Sequence, residues 1–400
     1  MGVSRVVRAV AAVAFLAAAC SSAPATPARR QDAGQATVAT AWKGITTPEL
    51  AANSGLRDVS ATGPKDAWAV GHEDAAENDG GVAVLWHWNG VAWEAAPVPP
   101  ASKGRGPFLW AVSAERPDSV WTVGMEQAAT GRVFASHWDG RRWTVRYPFG
   151  RANGYFPMSV TAADGKAWFA GGGPSGGVVT EWDGRAFRVL RSGVGGGGSS
   201  VFNAISVKDG QLWAVGSLGD LKSPLIHHEV LGDHGSGWSE TPDIPLGELK
   251  GVWQSSPSDV WAVGTVHSHG DNGNRPLLMH FDGSRWSTVR VPILKGELHD
   301  VTALGENDVW ISGVDADHAG QVLFLHYDGM RWTREYSWRL RSDGFVTADF
   351  LEDGGELVDE GLVNRTSITH VPGTTNVWTV GSSGPEDDSE TPERHFVLRR

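Results

Sequence analysis

Two aspartates, Asp58 and Asp300, stand at one register of a segment that the chain writes seven times. Arg57 and His299 precede them. The other copies carry Ala111, Ser159, Ala204, Gly251 and Ser367 at that register, small residues that suit strands crowding toward an axis. The two carboxylates are therefore the exceptions. As general acid and base, such a pair can cleave a glycosidic bond if it stands about 5–9.5 Å apart. As hard oxygen donors, the same pair can hold a divalent cation, calcium above all. His267, His269 and Asp271, and separately Asp315, Asp317 and His318, have the residue types of a transition-metal site. The plainer reading of both groups is a solvated polar loop. Arg57 and His299, joined by His72, Glu73, Asp353 and Glu356, form a candidate ligand-binding set around the same end of the repeats.

Other histidines carry a different message. His87, His137, His280 and His326 each precede an aromatic at one place in the repeat. A hydrogen bond internal to each repeat explains that recurrence better than chemistry does.

The repeat that positions these residues is marked by "DAWAVG" at Asp66, "SVWTVG" at Ser119, "KAWFAG" at Lys166, "QLWAVG" at Gln211, "DVWAVG" at Asp259, "DVWISG" at Asp308 and "NVWTVG" at Asn376. Its tryptophans are spaced 53, 47, 45, 48, 49 and 68 residues apart. A period of that length marks a propeller. Each unit resolves into four short strand signals. In the first they are 56–62, 67–72, 82–88 and 91–98, with Asn89-Gly90 before the last, a strong hairpin signal. Asp-Gly takes that place at 139–140, 183–184, 282–283 and 328–329. The expected fold is all-β: seven blades of four antiparallel strands. The seventh unit lacks a fourth strand, and the segment 36–48 supplies one ahead of the first unit, with Trp42 in the place of Trp93 or Trp286. Pairing the two ends would close the ring and remove two exposed edges.

The 68-residue spacing comes from an insert at 340–365 that carries seven acids. With the second-to-third strand loops of units five, six, seven and one, it concentrates acidity on one sector of the variable face. The formal charge of the whole chain is −12. That balance argues against nucleic acid and against docking flat on an anionic membrane.

Residues 1–20 are set apart from the fold. Arg5 and Arg8 precede the apolar run Ala9–Ala19, and Cys20, the sole cysteine, follows it. "LAAAC" at Leu16–Cys20 resembles a bacterial lipoprotein signal, which implies lipidation of Cys20 and display on the extracellular face of the cell membrane, or secretion if Cys20 is not lipidated. Residues 21–35, rich in Ser, Pro and Ala, read as a disordered tether, and 36–400 as the propeller. The repeats resemble those of Kelch-type propellers, with a glycine doublet in "AWFAGGG" at Ala167–Gly173, and the D-G-x-x-W turn resembles the Asp-box of sialidase-like ones. Neither resemblance carries its enzymes' machinery across. A galactose-oxidase-like site needs a cysteine crosslinked to tyrosine. A sialidase-like site needs three arginines and a tyrosine nucleophile, and Arg57 is the lone arginine at the inner positions read here, with Tyr155 the lone free tyrosine. The composition is compatible with an actinobacterial source. These readings together imply an exported, non-catalytic, monomeric module that binds through its acidic variable loop face, with no obligatory cofactor. Its partner would be a protein or glycan of the envelope, and the membrane is touched only through the anchor. A carbohydrate-active enzyme using Asp58 and Asp300, or an envelope scaffold, is the alternative.

Overall fold

The computed structural model describes residues 41–400 except 75–80, 105, 127–130, 151, 153, 195–199, 220–222, 233–236, 245, 269–272, 342–343, 346–361 and 385–392. Cys20, the tether and most of the acidic insert lie outside the described residues, as do His269, Asp271, Asp353 and Glu356.

Seven four-stranded antiparallel sheets follow one another along the chain. Blade one consists of Gly55–Gly63, Asp66–Glu73, Val82–Trp88 and Trp93–Ala95, in that spatial order. Blades two to six repeat it. Their innermost strands are Phe108–Arg116, Phe156–Ala163, Val201–Lys208, Gly247–Ser256 and Gly296–Gly305. Blade seven takes Leu362–His370, Val377–Gly384 and Arg394–Arg399 from the end of the chain and Lys43–Gly44 from its beginning. Lys43 pairs with Arg399 and Gly44 with Leu398, so the expected closure of the ring is present, as a two-residue ladder among the described residues.

The motif tryptophans lie between blades, which explains why they repeat. Trp68 meets Trp138 and Trp143 of blade two, Trp261 meets Trp332 of blade six, and Trp378 meets Trp93 of blade one across the closure. Each supplies a wedge whose edge-on contacts add to plain burial. Blade six needs the same cover, and Trp42 provides it. Its ring stands 5.8 Å from Trp310, stacks on Phe324 and is fully buried. Its Nε1 donates to Glu335, the carboxylate that Arg400 grips with two hydrogen bonds of 3.0 and 2.9 Å.

The recurrent histidines do have structural partners. Nε2 of His87, His280 and His326 lies 2.7, 2.6 and 2.9 Å from Asp66, Asp259 and Asp308 at the start of the neighbouring strand. Their rings lie on the motif tryptophans, at 4.0 Å for His280 on Trp261 and 4.4 Å for His87 on Trp68. Blade three inverts the charges, with Lys166 3.2 Å from Glu181.

The third-to-fourth strand turn differs from expectation. Gly90 has φ 97°, whereas Asn89 is absent from the non-glycine residues at positive φ. A two-residue turn of the type that Asn-Gly favours needs positive φ at both. Instead, Oδ1 of Asn89 accepts from the N–H groups of Val91 and Ala92, and Asp139, Asp183, Asp282 and Asp328 do the same. Such a side-chain cap widens the turn and delays the fourth strand to Trp93.

Candidate binding site in the channel mouth

Six of the seven inner strands carry a one-residue bulge at the same place. The unpaired residues are Arg57, Trp110, Met158, Asn203, Lys250 and His299. A bulge bends its strand and re-aims a side chain. All six line one cavity of about 270 Å³. Blade seven places its bulge at Asn364 and presents Arg365 and Thr366 to the same cavity. Close approach of the inner strand explains the last letter of the repeated motif. A Cβ on Gly71 would overlap the carbonyl oxygen of Gly55, and the same clash with the inner strand recurs at Gly124, Gly171, Gly216, Gly264, Gly313 and Gly381. Only glycine lets the second strand lie beneath the bent one.

Asp58 and Asp300 are brought together, with blade seven between them. Ser367 Oγ lies 2.9 Å from Oδ1 of Asp58 and 2.9 Å from Oδ2 of Asp300. Asp58 also accepts the N–H groups of Val59 and Val112, and Asp300 those of Val301 and Ile368. Each aspartate therefore pins its own strand to the next blade. Ser60 and Thr302 repeat the device two residues on, accepting from Ala114 and His370. One hydroxyl has one proton to give, so it cannot donate to both carboxylates. A proton held by the pair resolves the conflict. Burial pushes Asp58 up to about 7, with the charge of Asp300 adding to the rise, and burial raises Asp300 too.

This geometry bears on the two chemistries proposed for the pair. Every carboxylate oxygen already accepts a main-chain N–H, and two guanidinium groups stand nearby. A calcium ion needs free lone pairs and no cationic neighbours. For glycoside cleavage, the pair is close enough, but the oxygens that would meet a sugar are occupied in holding blades together.

The arginines are the reverse case. Arg57 lies with its guanidinium carbon 4.2 Å from the centre of the Trp110 ring. Its Nε is buried without a hydrogen-bond partner. Neither Arg57 nor Arg365 has a hydrogen bond or ion pair within 4.0 Å among the described residues. Burial brings Arg57 down to about 10, with the charge of Arg365 adding to the fall, and burial lowers Arg365 as well. Both remain protonated at neutral pH. Each therefore presents desolvated N–H donors that no described residue fills.

On neighbouring blades five and six, charge is internally compensated. Lys250 Nζ reaches Glu297 at 2.5 Å and Glu248 at 3.3 Å. His299 spans Thr366 Oγ1 at 3.2 Å and Glu297 at 3.7 Å. That imidazole and the Lys250 ammonium hold Glu297 well below the usual carboxylate range, against the effect of burial.

The remaining candidates have other work. His267 Nε2 stands 3.3 Å from Glu248 Oε1. Asp315 caps a short 3-10 turn through the Asp317 N–H and accepts from Tyr336 at 2.6 Å, while His318 stacks on that tyrosine. Among the described residues, no three His, Cys, Asp or Glu side chains converge to hold a metal ion. His72 is buried 3.8 Å from Glu393, and Glu73 accepts from the Ala51 N–H at 2.9 Å; neither lines the cavity. Of the expected ligand-binding set, Arg57 and His299 are at the cavity. The sequence reading missed Trp110, Met158, Asn203, Lys250 and Arg365. The available signal was the register one residue earlier, where the repeats disagree most in side-chain chemistry.

A scan of family models finds no match, and a search of curated proteins finds none. Solved structures do resemble the chain. YCF48 bound to a D1 peptide superposes with a TM-score of 0.55 at 16% identity, over 90% of this chain and 96% of that one. The GH74 xyloglucanase from Xanthomonas campestris gives 0.55 at 12% identity, over 89% of this chain and 55% of that one, so the chain spans about half of that enzyme. Hydrazine synthase of Kuenenia stuttgartiensis gives 0.50 at 12% identity, over 84% and 94%. At these identities the likeness is one of fold.

Proposed function

We propose that this protein is a non-catalytic binding module that seats an anionic group of a partner in the channel mouth, between Arg57 and Arg365. The observation that carries the reading is a pair of desolvated guanidinium groups that line one cavity with no hydrogen-bond or ion-pair partner among the described residues, the Nε of Arg57 being buried without one. A planar guanidinium suits a carboxylate or phosphate better than any other cation in the chain. The reading moves the expected contact from the acidic loops to the cationic part of the variable face. A propeller structure carrying a peptide, that of YCF48, supports a protein segment as the partner, and the xyloglucanase likeness supports a glycan. The occupied oxygens of Asp58 and Asp300 favour the first and weigh against hydrolysis.

Thermal unfolding of the full chain with and without millimolar sulfate tests the anion site. A ligand that binds only the folded state raises Tm by mass action. Sulfate should raise Tm in the wild type and not in Arg57→Gln; an equal rise in both removes the site. We further propose export, with Cys20 lipidated and the propeller standing off the outer membrane surface on its tether as a monomer. Metabolic labelling with a fatty acid, lost in Cys20→Ser, is the expected result.

A further inference from the structure

The cavity wall has two arcs. Blades seven and one contribute Arg365 and Arg57; blades two and three contribute Trp110 and Met158. The arcs touch, because the Arg57 guanidinium lies over the Trp110 ring. A ligand that fills both must carry an acid and an apolar group almost on one atom. We infer that the ligand is a peptide C-terminus whose last side chain is apolar, its carboxylate on the arginines and its side chain on Trp110 and Met158. The inference rests on the anion-binding reading above and narrows it.

A terminal residue holds its carboxylate and its side chain on the same Cα. An internal Asp or Glu does not offer that pairing. Its acid is its own side chain, and the next side chain along an extended strand points to the other face. Size agrees. About 270 Å³ falls just below the roughly 300–1,000 Å³ of clefts that engulf drug-sized ligands, and it suits one residue entering end-on. Blade four supplies an acceptor for the terminal N–H. Asn203 lines the cavity and spends its Nδ2 on the Leu249 carbonyl at 2.8 Å, which leaves its Oδ1 without a donor among the described residues. A free amino acid fits less well. Its ammonium would need an open carboxylate, and Asp58 and Asp300 are taken by main-chain N–H groups, Glu248 and Glu297 by Lys250.

Calorimetry on the purified full chain tests this with five probes: acetyl-Ala-Ala-Ala-Leu with a free carboxylate, the same peptide amidated, acetyl-Ala-Ala-Ala-Ser with a free carboxylate, acetyl-Ala-Glu-Leu-Ala-amide, and free leucine. The free acid should bind roughly tenfold to a hundredfold more tightly than the amide, the range expected for charge-assisted hydrogen bonds. Arg57→Gln and Arg365→Lys should each remove most of that difference, the second keeping the charge but losing the guanidinium fork. Trp110→Ala should erase the preference for terminal leucine over terminal serine while the acid still outbinds the amide. If the internal-acid peptide binds as well as the free C-terminus, and does so through Arg57, the terminal inference is overturned and the anion site stands. Tight binding of free leucine overturns the peptide in favour of an amino acid. If none of the acids binds, both readings fall.

Discussion

The outer part of each blade and its inner bulge are made by the same repeat, yet they behave in opposite ways. On the outer part, the same types meet the same partners. His87 with Asp66, His280 with Asp259 and His326 with Asp308 are one arrangement used three times, each under a motif tryptophan. Where blade three changes one member, it changes the other and keeps an ion pair. At the bulge, the backbone recurs but the side chains do not: Arg57, Trp110, Met158, Asn203, Lys250 and His299 share a register and little else. The recurring histidines of the outer part find partners within their own blade. In the cavity that the bulges line, Arg57 and Arg365 find none among the described residues. In a repeat protein, periodic chemistry is therefore architecture, and the positions where geometry repeats while chemistry does not are where function can be written.

The comparison breaks first if the framework can lose a member without consequence. Trp42→Ala should have the largest effect. It removes a fully buried indole from between Phe324 and Trp310 and releases one hydrogen bond at Glu335. Truncating a buried tryptophan costs about 3–5 kcal/mol. Here it also loosens a ring closed, among the described residues, by two ladder pairs at Lys43 and Gly44 and the N–H of Ile45 on the Val397 carbonyl. Urea unfolding should show a loss in that range. A loss below about 1 kcal/mol would mean that the other six blades hold without closure.

The closure and the blades were legible in the sequence because they rest on local period and on residues whose burial repeats. The placement of Asp58 and Asp300 on either side of blade seven was legible for the same reason. What the sequence concealed was which neighbour faces the channel. A strand alternates faces, so a register read one residue off exchanges wall for cavity. The bulge causes that exchange, and its trace in the sequence is indirect: a glycine on the neighbouring strand, such as Gly71 or Gly264, where the bent strand presses close. The carboxylates looked like the reactive members because charge among small residues draws the eye. Their main-chain hydrogen bonds, invisible in the sequence, make them staples, and the arginine beside one of them carries the open valence.

The staple can be tested by pH, with an intermediate effect. A carboxyl group raised in the folded state contributes its stability below its unfolded value, near 4, and loses it as pH rises through the folded value. For Asp58 that window runs from about 4 to about 7. Buried His227 and His395, each brought down to about 4 by burial, act in the opposite sense, losing stability as pH falls from about 6.5 toward 4. The informative quantity is therefore a difference. Asp58→Asn should be less stable than the wild type throughout, because its amide nitrogen must face the N–H of Val59 or Val112. The gap should be about 2 kcal/mol narrower at pH 8 than at pH 4.5, a figure discounted because the cavity admits water. A gap that stays constant with pH would mean that the pair holds no proton at neutral pH and that Ser367 donates to one ionised partner.

The smallest effects make the sharpest contrast. His280→Gln removes one copy of the periodic arrangement, a hydrogen bond of 2.6 Å to Asp259 and a ring stacked on Trp261. It should cost about 1 kcal/mol, the net worth of such a bond, and leave sulfate binding untouched. Arg57→Gln removes a desolvated charge that no described carboxylate pairs with, so it should leave stability unchanged or slightly raised, within about 0.5 kcal/mol, while abolishing the response to sulfate. The two variants should therefore cross, one losing stability alone and the other binding alone. If Arg57→Gln instead unfolds the blade, the guanidinium is holding Trp110 in place as part of the wall, and the line drawn here between repeated framework and variable ring runs through the wrong residue.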